Sequence, residues 1–153
     1  VLFFINPLNP SSGLKCMLLK WFGAKLGKAV MIKPGVNIKY PWKLVCGDYV
    51  WLGEKVWIDN LAVVKMGNNV CVSQGAMLLT GNHNYKKSSF DLMVKEIVLE
   101  EGVWLGAGTL VCPGVTAHAH AMLTAGSVAT TSLEAYTIYS GNPAIAIKQR
   151  IIM

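Results

Sequence analysis

The sequence predicts an all-β fold, a parallel β-helix of about five coils from Leu26 to Thr131, on three observations. Apolar residues recur every six positions, with thirteen hexapeptides beginning at Leu26, Ile32, Ile38, Cys46, Leu52, Ile58, Met66, Val72, Leu99, Leu105, Val111, Ala117 and Leu123. Four positions further on stand Val30, Val36, Trp42, Val50, Val56, Ala62, Val70, Ala76, Val103, Thr109, Val115, Ala121 and Ser127; twelve of these thirteen are small or β-branched. Glycine returns at the second position (Gly27, Gly47, Gly53, Gly67, Gly106) and at the fourth (Gly35, Gly75, Gly102, Gly108, Gly114, Gly126). A helical reading fails, because residues six apart do not share one face of a 3.6-residue helix.

The period dictates the geometry. Each hexapeptide is a short strand plus a tight corner, and the corner calls for a residue that tolerates positive φ or close backbone approach. The first position points into a narrow interior, and the small fifth lets the chain bend around it. Three units close a triangular coil, and stacked coils pair in parallel at about 4.8 Å. Such a solenoid needs several coils and capped ends.

Three interruptions are legible. The spacing widens from six to eight at Ile38 to Cys46 and at Ile58 to Met66, where Val64 is an equal candidate to start the unit. The third, Leu78 to Leu99, contains residues 80–95, which carry no repeat and leave the prism as a loop. Long loops in compact domains are usually functional.

The ends complete a three-part organisation: residues 1–25, the coils over 26–131 and a tail over 132–153. Ser12 is positioned to cap a short helix through Leu14, Met17, Leu18, Trp21 and Phe22 that stops at Gly23. Its apolar stripe either caps the solenoid, the commoner use, or makes a peripheral contact with a membrane, with Lys15 and Lys20 outward.

Composition narrows the function. A hydrophobic fraction of 53% against 14% charged residues implies a very continuous core or apolar surface hidden between subunits. The +6 charge comes without a dense basic block or interleaved aromatics, so nucleic acid is not a partner. No apolar run reaches the roughly 18 residues of a membrane span. Val1–Ile5 lacks the flanks of a secretory signal, and an opening on Val1 suits a processed or truncated chain. Cys16, Cys46, Cys71 and Cys112 show no paired or metal-binding spacing, which suits small apolar residues in the reducing cytoplasm.

His83, in the non-repeating segment, is the candidate general base, since imidazole titrates near working pH. His118 and His120 share one hexapeptide, and a three-histidine zinc site with His83 is the rival use. Their spacing puts both near one corner, so no metal is expected.

The hexapeptide series, Thr80-Gly-Asn-His-Asn-Tyr85, Gly102-Val-Trp-Leu-Gly-Ala107, Val111-Cys-Pro-Gly-Val-Thr116, Ala125-Gly-Ser-Val128 and Gly141-Asn-Pro-Ala144 together resemble the hexapeptide-repeat O-acetyltransferases. They are most similar to the colanic acid biosynthesis type, with galactoside and maltose acetyltransferases as more distant relatives. The resemblance spans nearly the whole chain. It implies a left-handed β-helix, against the usual right-handed crossover preference, and a homotrimer with active sites between subunits.

The resemblance also implies acetyl transfer from acetyl-CoA to a sugar hydroxyl in surface polysaccharide biosynthesis, in the cytoplasm or at the inner face of the membrane. The acceptor would be a sugar or lipid-linked sugar. His83 matches the family's base and Asn60 its polar partner, while Asp59, Tyr85 and Asp91 are candidates to face the acceptor. Trp104 matches a tryptophan beside the thioester, and Ala107, Ala125 and Thr130 match positions along the pantetheine arm. Lys148 and Arg150 would contact the coenzyme phosphates. The chain departs from the family pattern at Thr131 and Ile145, where relatives often carry lysine, and at His118-Ala-His120 in place of a glycine-rich turn. The alternatives are a zinc enzyme of the carbonic anhydrase kind or a non-catalytic solenoid.

Overall fold

Two or three residues of each hexapeptide form a strand, and the strands collect into three parallel sheets in the computed structural model, which describes residues 11–153. The Val1–Ile5 stretch lies outside the described residues. Sheet I stacks Lys25–Leu26, Leu44–Cys46, Val64–Met66, Ile97–Leu99 and Thr116–Ala117. Sheet II stacks Met31–Ile32, Trp51–Leu52, Cys71–Val72, Trp104–Leu105 and Met122–Leu123, then adds Thr137–Gly141 and the antiparallel Ala144–Gln149. Sheet III stacks Asn37–Ile38, Trp57–Asp59, Met77–Leu79, Leu110–Val111 and Val128–Ala129. Every coil visits I, II and III in turn, and five coils are complete.

The interior follows the repeat. The thirteen first positions are buried except Leu26 and Ile38, which are partly so. The fifth positions are buried except Trp42 and Ala62. Both exceptions stand in the widened corners, where Leu44 and Val64 turn inward instead. Around Val64 the register needs no choice: Val64 and Met66 both point inward, with Lys65 between them outside.

The two glycine positions do different work. At the second position the next coil passes too close for a side chain: a Cβ on Gly106 would lie 2.6 Å from the Ala125 backbone nitrogen. At the fourth, φ is positive, as at Gly102 (+67°). Ala29, Tyr49, Lys55, Asn69 and His120 hold the same conformation at fourth positions without being glycine, which the glycine pattern alone did not reveal. Only Pro41 and Leu61 fall outside this rule, and both lie in widened corners.

All three interruptions therefore stack on one edge, where sheet III hands over to sheet I. That edge widens over residues 39–43, then 60–63, then 80–96, in successive coils.

The helix Ser12–Trp21 lies across the open end of the first coil. Its cap is Ser11, whose hydroxyl accepts from the Leu14 N–H. Ser12, the cap expected from sequence, instead accepts from the Ile32 N–H at 2.7 Å and ties the helix to sheet II. Lys15 is likewise not outward. It faces the prism with Leu19, fully buried, and its Nζ donates to the Ile32 carbonyl at 3.4 Å. Lys15 and Leu19, four apart, share the helical face that meets the prism, while Lys20 stays exposed.

Candidate functional site

The widened edge gathers most of the chemistry. Thr80, fully buried, roots the excursion: its hydroxyl donates to the Asp59 carbonyl and accepts from the Ala62 N–H, both at 2.9 Å. Beyond it the segment is an arm rather than an irregular loop. Gly81–His83 pairs antiparallel with Leu92–Val94, with His83 opposite Leu92 and Asn82 opposite Met93. Side chains alternate across such a ribbon, so Gly81 and His83 share one face and Asn82 and Met93 the other. Gly81 lies against Leu61 of the preceding coil; a Cβ there would be 2.5 Å from Leu61 Cδ1.

His83 is exposed, and its Nδ1 lies 2.8 Å from the Phe90 carbonyl oxygen. A carbonyl only accepts, so Nδ1 carries a proton, and in the neutral ring the lone pair is then on Nε2. The Phe90 ring packs beside it, centroids 5.9 Å apart. Phe90 has φ of +50°, and no sequence pattern announces a backbone carbonyl as the group that sets a histidine's tautomer.

Asn60, the polar partner that the resemblance implies, lies one coil before the arm's root. It is fully buried; its Oδ1 accepts from the Tyr40 N–H at 2.9 Å and its Nδ2 donates to the Tyr40 carbonyl at 2.7 Å. Both ends of the amide hold the first widened corner. Asp59 sits next to it, with its carboxylate 2.9 Å from Lys39 Nζ. Asp91 is also engaged: Lys87 Nζ lies 2.9 Å from it across the arm's tip. That hydrogen bond, then one from Ser89, holds its carboxyl below the usual range. Tyr85 is exposed at the tip.

On the arm's other face, Asn82, Met93 and Lys95 meet Cys112, Pro113 and Thr130 around a cavity of about 330 Å³. Thr130 is thus on the same edge as the arm. Lys95, which sequence reasoning passed over, is the cation there, and its side chain lies along Gly114. Its only signal was its place as the last residue of the non-repeating segment.

The other positions that the resemblance assigns to the coenzyme lie elsewhere on the prism. Trp104 projects from sheet II, half-exposed, and its Nε1 donates to Ser73 Oγ at 3.0 Å. Ala107 and Ala125 occupy successive corners of the II–III edge, joined by a Gly126 N–H to Ala107 carbonyl bond of 2.8 Å. Lys148 is exposed on the terminal strand opposite Ile138. Arg150 does not join these residues. Its guanidinium donates to the carbonyls of Gly102 and His120 at 2.9 and 3.1 Å, strapping the tail to the I–II edge.

The three histidines do not converge either. His118 and His120 are on the I–II edge, His118 with Glu100 (3.1 Å) and His120 beside Tyr136 (4.9 Å between ring centroids). Among the described residues no group of three metal-ligating side chains assembles. The four cysteines are free, and burial raises every thiol pKa, that of Cys46 to about 12.

The parallel β-helix matches solved hexapeptide-repeat acetyltransferases. A Vibrio cholerae hexapeptide-repeat acetyltransferase solved with acetyl coenzyme A superposes with a TM-score of 0.87 at 21% identity, over 95% of this chain and 81% of that one. A galactoside acetyltransferase in complex with coenzyme A gives 0.85 at 21% identity, over 97% and 76%. In sequence, the chain is 39% identical over 137 residues to WcaF of Escherichia coli, named for colanic acid biosynthesis acetyl transfer, covering 90% of this chain and 75% of that protein. Galactoside O-acetyltransferase of the same organism is 24% identical over 153 residues, covering 97% and 75%. No family model matches the chain. The chain belongs to the colanic acid biosynthesis acetyltransferase family of hexapeptide-repeat enzymes. It is an acetyltransferase, and its β-helix is left-handed.

Proposed function

We propose that the protein moves the acetyl group of acetyl-CoA to a sugar hydroxyl in the biosynthesis of a surface polysaccharide, with His83 as general base. The observation that carries this is the His83 Nδ1–H donated to the Phe90 carbonyl, which leaves Nε2 as a proton acceptor on an arm clear of the coils. Nε2 takes the proton of the sugar hydroxyl as its oxygen attacks the thioester carbonyl. The tetrahedral intermediate then collapses, the C–S bond breaks, and the thiolate leaves with the proton returned from the imidazolium. Base assistance of this kind is worth roughly 10²–10⁴-fold. With Asn60 committed to Tyr40, a backbone N–H is the donor for the oxyanion.

The relatives solved with acetyl coenzyme A or coenzyme A and the colanic acid relative support the donor and the acceptor class. Thr130 and the Lys95 ammonium beside the cavity fit an anionic coenzyme. Ala107 and Ala125 lie across sheet III from His83, on the II–III edge, and Trp104 projects from sheet II of the same chain. A cleft between two copies, the III–I edge of one against the II–III edge of the next, unites the two sets, and three copies close such a ring. Sheet II also carries an apolar outer row (Met31, Trp51, Trp104) partly open to solvent, as a homotrimer would cover. The acceptor is a sugar or lipid-linked sugar met on the cytoplasmic side, where free thiols persist.

Acetyl transfer to a panel of free, nucleotide-linked and lipid-linked sugars, with His83→Ala beside the parent chain, tests this reading. Thioester consumption that is equally fast in both chains would remove His83 from the mechanism.

A further inference from the structure

Among the described residues the outer face of the end helix is unpartnered. Leu14, Met17 and Trp21, at i, i+3 and i+7, share it, and Trp21 is 83% exposed. Phe22 follows at the helix end, its ring 6.1 Å from that of Trp21. The patch continues onto the first widened corner, because Gly23 packs against Trp42, itself 59% exposed. Five large apolar side chains thus cover one end of the prism.

Charge surrounds them. Through residue 65 the chain has nine lysines against three acids, and beyond it five basic residues against five acidic ones, so the whole net charge of +6 belongs to the first coils and the helix. Lys20 and Lys25, next to the patch in sequence, are exposed, as is Lys28 of the first coil. Of the three acids, Asp48 and Asp59 already face lysines, Lys28 at 3.9 Å and Lys39 at 2.9 Å.

We propose that this end of the prism docks on an anionic membrane surface. Aromatic side chains ringed by lysines match the boundary between acyl chains and negatively charged headgroups. A second copy is a poorer occupant, because like charges would oppose one another across the contact and copies packed side by side leave the prism ends open. No helix among the described residues is long and apolar enough to cross a membrane, so the contact is peripheral. The docked corner and the His83 arm share one edge, two coils apart, or roughly 10 Å at about 4.8 Å per coil. The base is then within reach of a sugar carried at a bilayer surface, a point that rests on the acetyl-transfer reading, whereas the docking itself does not.

The test is flotation of the full chain with vesicles of phosphatidylethanolamine and phosphatidylglycerol, or of phosphatidylcholine alone, at low and high salt. Binding is expected to the anionic vesicles only, to weaken with salt, and to fall by about tenfold or more in a Trp21→Ser/Phe22→Ser variant. Both substituted side chains are exposed, and melting temperature with an acetyl-CoA thermal shift confirms an intact fold and donor site. His83→Ala should float like the parent, which separates this proposal from the catalytic one. Equal binding to neutral vesicles, no binding, or binding indifferent to the double substitution overturns it. Self-association abolished by the double substitution, without vesicle binding, overturns it too and makes a second copy the occupant.

Discussion

Asn60 holds both backbone polar groups of Tyr40, accepting from its N–H at 2.9 Å and donating to its carbonyl at 2.7 Å, from one coil to the coil before it. Asn60→Ala leaves that N–H without its partner in a partly buried corner, while the carbonyl keeps the Lys43 N–H at 3.0 Å, at a cost of about 1–3 kcal/mol. Urea unfolding should show that loss, while the kcat of the folded fraction stays within a few-fold. A large fall in kcat at unchanged stability would restore Asn60 to the reacting centre.

His83→Ala should behave in the opposite way. Its ring is exposed and fills no part of the coil interior, so melting temperature should hardly move. Turnover should drop by roughly 10²–10⁴-fold with acetyl-CoA affinity within a few-fold of the parent. Single-turnover kinetics and calorimetry distinguish the two effects.

The two glycine positions predict unlike responses. Gly106→Ala drives a Cβ to 2.6 Å from the Ala125 nitrogen, and since backbone cannot move aside, the cost is about 1–3 kcal/mol. Ala29→Gly relieves a φ of +53°, worth about 1–2 kcal/mol and offset by about 0.5–1 kcal/mol of chain entropy, so it should be neutral to stabilising. Thermal unfolding of both variants checks the pair.

Burial pushes the Lys15 ammonium below the ordinary lysine range. The cost of burying its charge is complete below the lowered folded value and is relieved as pH rises from there toward the unfolded value of about 10.4, because over that window the unfolded chain binds more protons. Lys15→Met should therefore stabilise the fold by about 1–2 kcal/mol at neutral pH, with the advantage shrinking at alkaline pH. Denaturation at several pH values measures it. A loss at neutral pH would show that the Ile32 contact outweighs the desolvation.

The coils were legible because period, interior position and corner are one repeating constraint, and Leu52 or Val103 obeys it without reference to anything distant. The arm was legible only as a break. That Gly81–His83 would pair with Leu92–Val94, and that Phe90 would supply the carbonyl for His83, depends on a local turn with no repeat behind it. Lys15 misled because a lysine on a helix reads as solvated until the coil end it covers is known. The strap that Arg150 makes was not legible, because sequence order does not tell which edge the tail returns to. The hold of Asn60 on Tyr40 was not legible, because its polarity fits a reacting site and a corner clamp equally well.

The confinement of every widened corner to the III–I edge divides the molecule into a part of fixed gauge and a part of free length. A residue added on either other edge would throw all later coils out of step, whereas one added at 39–43, 60–63 or 80–96 is absorbed locally. Relatives with different acceptors should then differ in length at those three places while counting in sixes elsewhere, and grafting a foreign arm at Thr80 and Glu96 should change what is acetylated without disturbing the stack beneath.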